Sequence, residues 1–403
     1  MNKPLLLLLL ILGLTIPGFS VDYGAVTTQR IDGENRGHTY TGTAAPWLSL
    51  NLGESWDLYF SAGFTLAYEG KEWQSLPELY RFGAQFRPFP GMLLELGRHQ
   101  YRDIRGAVAS GLFDGVSLSL NPGLGRLSAR FLYTGLLYKK TADIMMTSRE
   151  QAAYYTPVSY AGGQAFMDTY FAPRRLIGAV AWELPDLGGQ NSLALEGIGQ
   201  GDVNGGEEQL HSAYISARFS RAFREDLALV LGGTLALVKE TDKAPAPGLS
   251  GSGELAWNPP AGLWDRFSLL VRYTSGEAGT ATASFPAITT VSQGYVLNIR
   301  PAGLAVVQGS YRARLFQGFS GELTAAYFFR TGDTSAGGAF DATVQNKDSP
   351  FLGGELRTSF VWVPFSDLSI SLDCGLFIPQ WGNYFTVKSS LPWRATGGLV
   401  FSF

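Results

Sequence analysis

The chain has 403 residues, with 16% charged and 13% aromatic side chains, 50 glycines and a formal charge of −3. Ordinary soluble domains carry about 25% charged residues and roughly 7% glycine, so this is not their composition. The acidic balance gives no basic excess for nucleic acid, the single cysteine allows no intrachain disulfide or cysteine-cluster metal site, and no apolar run beyond residue 20 is long enough to cross a bilayer as a helix.

In chain order, Lys3, the apolar run Leu5 to Ile16 and the small residues Gly18 and Ser20 ahead of Val21 predict a secretory leader over 1–20, cut after Ser20. The remainder, 21–403, then reads as one domain. Leu58, Phe60, Ala62, Phe64 and Leu66 alternate with Asp57, Tyr59, Ser61, Gly63 and Thr65. The same two-residue period recurs at Leu127–Tyr133, Ala213–Phe219, Phe267–Tyr273 and Leu323–Phe329. It ends at Arg394–Phe403, where Ala395, Gly397, Leu399, Phe401 and Phe403 share one face.

Strands are expected near 22–31, 43–51, 56–68, 79–87, 92–99, 111–120, 126–135, 174–184, 191–200, 209–220, 227–238, 249–257, 266–275, 304–315, 319–330, 351–363, 368–378 and 394–403. Segments of about ten residues with one greasy and one wet face are those of a transmembrane, antiparallel, up-and-down β-barrel. The expected count is about eighteen, with sixteen or twenty left open; Tyr295–Arg300 also looks strand-like and is taken as loop structure or an extension of the neighbouring strand. Short breaks rich in Pro, Gly, Asn and Asp alternate with longer ones (32–42, 69–78, 100–110, 136–173, 201–208, 239–248, 276–303, 331–350 and 379–393), which puts both termini on the periplasmic side.

Within that phase Arg126, Arg130, Arg218, Arg272 and Arg314 face the lumen with no obvious partner, and form a candidate anion-attracting ladder. An outward Arg near mid-bilayer would cost about 2–4 kcal/mol, so inward is also the side that energetics alone would choose. Register sets Arg312 against Glu322 and Arg357 near Asp373, two expected lumenal ion pairs. The aromatic and acidic connection 136–173 either folds into the lumen or forms a surface flap. His38, His99 and His211 are expected at the outer rim. With Asp103 close by, His99 leaves a rim hydrolase formally open, but no nucleophile or metal motif supports one, and neither a catalytic residue, a cofactor nor a metal is called for.

Leu96-Gly-Arg-His-Gln100 and Gly111-Leu-Phe-Asp-Gly-Val116, followed by the Arg126–Thr134 strand, resemble the alginate-export and OprD-like group of eighteen-stranded outer-membrane channels, except that His99 intrudes between Arg98 and Gln100. The whole mature chain is similar to bacterial porins, and the terminal Phe403 to the signal read by the barrel-assembly machinery. These resemblances imply an outer-membrane porin embedded in lipid, passing small hydrophilic solutes by passive diffusion, with an anionic or saccharide preference. A plugged barrel acting as a surface adhesin or receptor is the alternative. A homotrimer stays open, because a trimer interface reads like a lipid face.

Overall fold

The computed structural model describes residues 19–403 except 36, 70–71, 206–207, 261–264, 278–281, 333–342, 345 and 387–390. Residues 1–18, nearly all of the expected leader, lie outside the described residues, while Phe19 and Ser20 already stand in the first strand.

Eighteen strands form one sheet. They are β1 (Phe19–Glu34), β2 (Gly37–Leu52), β3 (Trp56–Glu69), β4 (Glu72–Phe86), β5 (Met92–Arg102) and β6 (Ser110–Leu120). Next come β7 (Arg126–Tyr133), β8 (Arg175–Leu184), β9 (Asn191–Asp202), β10 (Leu210–Ala222), β11 (Leu227–Glu240) and β12 (Ala246–Trp257). The last six are β13 (Arg266–Thr274), β14 (Leu304–Phe316), β15 (Phe319–Arg330), β16 (Phe351–Phe365), β17 (Leu368–Ile378) and β18 (Trp393–Ser402). Each pairs antiparallel with the next. β18 closes on β1 from Val26↔Ser402 to Glu34↔Arg394, so no strand edge is left open to lipid at the junction.

The alternation read from sequence is the alternation of the wall. Phe60, Phe64, Phe131, Val180, Ile215, Leu235, Leu269 and Leu323 are exposed on the outside. The inner face carries small hydroxyls that bond across strands, among them Ser216 with Thr234 (2.8 Å) and Ser268 with Ser310 (2.7 Å). Cys374 is exposed, one residue from the inward Asp373.

Two connections differ from expectation. The ladders of β1–β2 and β3–β4 run to Glu34↔Gly37 and Glu69↔Glu72, where loops 32–42 and 69–78 were expected. Amphipathic alternation marks only the stretch in contact with hydrocarbon. Above it both faces are wet, so side chains such as Arg30, Asp32, His38 and Thr39 show no period although the backbone ladder continues. Tyr295–Arg300 is loop: a single bridge joins Gln293 to Ile299, and Val296, Leu297 and Ile299 are buried against Leu304, Phe328 and Phe377. The wall therefore has eighteen strands, an even number.

The connection between β7 and β8 carries three short helices, α1 (Lys139–Ala142), α2 (Ser148–Tyr155) and α3 (Gly163–Tyr170). A full capping box starts α2: the Thr147 hydroxyl accepts from the Glu150 amide, and the Glu150 carboxylate accepts from the Thr147 amide.

Candidate functional site

The 136–173 connection folds against the inner wall. Arg175 at the start of β8 is fully buried on the same face as Ile177 and Ala179. Its guanidinium donates to Glu150 of α2 at 2.5 and 3.1 Å and lies 3.4 Å from Asp202 of β9. Toward β4, Thr141 donates to Glu78, and Leu76 is buried with Val158 and Tyr170. Lys139 caps the C-terminal end of α2, donating to the carbonyls of Ala153 (2.9 Å) and Thr156 (2.5 Å).

A second inward element comes from β5 and β6. These strands pair with each other up to Arg102↔Ser110, but β5 leaves β4 after Phe82↔Arg98 and β6 leaves β7 after Asp114↔Tyr133. The tip of this hairpin is therefore free of both neighbours, and the connection 103–109 reaches the strands beyond. The Asp103 carboxylate accepts from the amides of Arg105, Ala107, Val108 and Ala109, which folds the segment into a tight turn. Tyr101 and the Ile104 amide both donate to Glu196 of β9 at 2.8 Å. Arg105 donates to the Thr234 hydroxyl of β11 (2.6 Å) and to the Ser250 carbonyl of β12 (3.1 Å).

These elements enclose a lumenal cavity of about 440 Å³ lined by Arg102, Arg105, Arg130, Arg218 and Arg272, with Asp103, Glu183, Glu196 and Glu254. Three of the four carboxylates are engaged elsewhere: Asp103 by its turn, Glu196 by Tyr101 and Ile104, and Glu254 by Arg266 at 2.8 Å. The hydrogen bonds and ring contact of three of the arginines go to neutral groups. Arg105 holds hydroxyls and a carbonyl, Arg130 sits 5.1 Å over the Tyr101 ring and donates to Ser128, and Arg272 donates to Gln293 at 2.7 Å. None of the five makes an ion pair within 4.0 Å among the described residues. The cavity thus holds guanidinium donors that no acidic side chain satisfies.

Of the five arginines expected to form a ladder, Arg130, Arg218 and Arg272 meet here. Arg126 and Arg314 do not: both stand near the short turns, Arg126 donating to Ser119 (3.1 Å) and Arg314 opposite Ser320 in register. Arg357 forms its expected bridge with Asp373. Arg312 lies directly opposite Glu322, but the expected ion pair is not formed; Arg266 flanks Arg312 on its other side and Glu322 accepts from Thr324 at 3.3 Å. Sequence reading missed Arg102 and Arg105: Arg102 ends a strand expected to stop at residue 99, and Arg105 lies in a connection, which shows no strand phase; the available signal was Asp103-Ile-Arg-Gly106, an aspartate followed by a glycine in a short turn. His99 is a correction. It is buried at the foot of the inward hairpin with Nδ1 3.1 Å from the Gly97 carbonyl, whereas His38 and His211 do stand at the wide rim.

A closed eighteen-stranded antiparallel barrel, greasy outside and polar within, narrowed by inward connections around a charged cavity, is the architecture of an outer-membrane β-barrel. No family model matches the chain, and no curated protein matches it in sequence. Solved structures do. The chain is similar to the outer membrane protein OpdK of Pseudomonas aeruginosa (12% identity, TM-score 0.61, covering 95% of this chain and 99% of that one). It is also similar to OccK11 (OpdR) of that organism (12%, 0.60, 96% and 98%) and to OccK2 (OpdF), solved in complex with glucuronate (12%, 0.60, 96% and 99%). The fold is that of the OprD/Occ porins.

Proposed function

We propose that the chain is a porin of the bacterial outer membrane through which small hydrophilic solutes diffuse passively, with a preference for anions, and that it carries out no chemical reaction. The observation that carries this reading is the set of five arginines around one lumenal cavity, none in an ion pair within 4.0 Å among the described residues, while three of the four neighbouring carboxylates are bonded to other groups. Guanidinium groups lining a narrow passage raise the local concentration of anions and exclude cations. OccK2, solved with glucuronate, shares the fold. A sugar acid presents the carboxylate that such a cavity would attract and the hydroxyls its serines and threonines would bind.

The test is the reversal potential of single channels in a planar bilayer under a salt gradient. Arg130, Arg218 and Arg272 replaced together by Gln should move the potential toward that of a non-selective pore. An unchanged potential would mean that these arginines do not set selectivity. The plugged-barrel reading rests on the same inward connections, whose apolar residues pack into buried clusters. Conductance separates the two readings, because a sealed barrel passes no current.

A further inference from the structure

The hairpin tip that carries Arg102 and Arg105 leaves the wall along a defined line. Gly83, Gly97 and Gly115 lie in one row across β4, β5 and β6. A Cβ on Gly97 would fall 2.4 Å from the Phe82 carbonyl oxygen, and one on Gly115 would fall 2.1 Å from that of Phe131. Gly97 has φ +105. Neighbouring backbones approach too closely for any side chain in this row, the condition for a sharp bend in a sheet.

One step above the row, Arg98 and Asp114 face each other in register. By alternation they share the outer face with Leu96 and Val116, where charge would meet lipid, yet both are buried. Two parallel bonds join them, Nε to Oδ1 at 2.8 Å and an Nη to Oδ2 at 2.9 Å. The same guanidinium donates to the Leu79 carbonyl on the unpaired part of β4 and to the Leu136 carbonyl (2.9 Å) of the connection after β7. Tyr160 and Tyr170 donate to the next alternate carbonyls of β4, those of Ser75 (3.2 Å) and Pro77 (2.6 Å). Side chains thus cap the edge that β5 abandons. Behind the tip, Leu112 packs on Leu137, Ala142, Ile144 and Ala172, which fills the space between the tip and the wall.

We propose that Arg98 and Asp114 are positioning residues: their buried pair holds the β5–β6 tip across the lumen as an arm, and Arg105 at the end of that arm is a determinant of anion preference. The pair touches no solute. It bolts the arm's outer face to β4 and to the wedge behind it, and so fixes how far Arg105 reaches toward Thr234, Ser250 and Ser252. The Gly-Arg and Phe-Asp-Gly segments at Gly97–Arg98 and Phe113–Gly115 are the two halves of this fastening.

The inference rests on the channel reading, and the experiment separates them. Wild-type protein in a planar bilayer that passes no current refutes the channel; the arm is judged on variants of a conducting wild type. Asp114→Asn removes the charge but keeps the shape, so the arm should loosen, with conductance rising about twofold or more and anion preference falling toward that of a non-selective pore. Arg105→Gln should lower the preference with the pair intact. Asp114→Glu keeps the carboxylate that Arg98 binds and leaves its bonds to the Leu79 and Leu136 carbonyls in place, so both properties should stay near wild type, whereas a role in packing alone would make the larger side chain as disruptive as Asn. If Asp114→Asn fails to assemble, Asp114→Glu and Arg105→Gln decide the matter. Wild-type conductance and preference in either Asp114→Asn or Arg105→Gln would overturn the proposal.

Discussion

Arg175 shows how much one side chain can organise. It is fully buried, and its guanidinium joins Glu150 of α2, Asp202 of β9 and the Leu210 carbonyl of β10. Removing one partner of a buried ion pair typically costs about 3–5 kcal/mol, because the charge left behind has lost its solvation and its counter-charge. Arg175→Met leaves both Glu150 and Asp202 in that state. The expected result is release of the α1–α3 connection, seen in detergent as faster protease cleavage between Lys139 and Tyr170, while the barrel itself stays intact. Unchanged cleavage would show that the capping box and the Leu76–Val158–Tyr170 cluster hold the connection alone. At this scale the sequence was legible wherever a residue sits in phase on a strand: Arg130, Arg218 and Arg272 were visible as inward arginines. Arg105 and Glu150 were not, since a residue in a connection has no phase, and the partner that gives it a role lies on strands remote in sequence.

At the scale of elements, the same connection should respond to pH. Asp143, in the left-handed C-cap of α1, is pushed up to about 6 by burial, against the pull of Arg300 and Lys140. Lys139 is pushed down to about 8 by burial, with the charge of Lys140 adding to the effect. From an ordinary value of 3.8 up to about 6, the docked connection holds a proton on Asp143 that the undocked one has released, so docking weakens as pH rises through that window. From about 8 up to an ordinary 10.5 the undocked connection holds a proton on Lys139 that the docked one has released, so docking strengthens as pH rises there. Hydrogen exchange over residues 139–156, corrected for intrinsic rate, should show least protection between about pH 6 and 8 and more on either side. Protection that is flat across both windows would refute it. The strands themselves were read almost completely from alternation, because the bilayer imposes a period of two on every wall segment. The ends of β1–β4 escaped for the converse reason: above the hydrocarbon both faces are wet, and only the hydrogen-bond ladder continues. The inward hairpin escaped as well. Alternation predicts that Arg98 and Asp114 would face lipid, and their burial depends on a bend that the glycine row permits but does not announce.

Closure belongs to the whole molecule, because every strand in the wall has two neighbours only if the last one finds the first. Nine residue pairs join β1 to β18, and beyond them Phe403 still exchanges two backbone bonds with Ala25, at 2.9 and 3.1 Å. Its ring packs little against the rest of the protein: it is 70% exposed and stands 5.8 Å between centroids from Phe401. We propose that this ring is read during assembly and adds little to the stability of the finished barrel. The two roles are separable, because Phe403→Ala keeps the backbone bonds and deletes the ring. Refolding of the purified variant into detergent micelles should proceed as for wild type, with the same resistance of the unheated barrel to SDS. In cells the same variant should accumulate poorly in the outer membrane, since the assembly machinery would meet a terminal strand without its aromatic end. A variant that refolds poorly in vitro would make Phe403 a structural residue. One that assembles normally in cells would remove it as a signal, and recognition would then rest on the apolar stripe of Leu399 and Phe401 that precedes it.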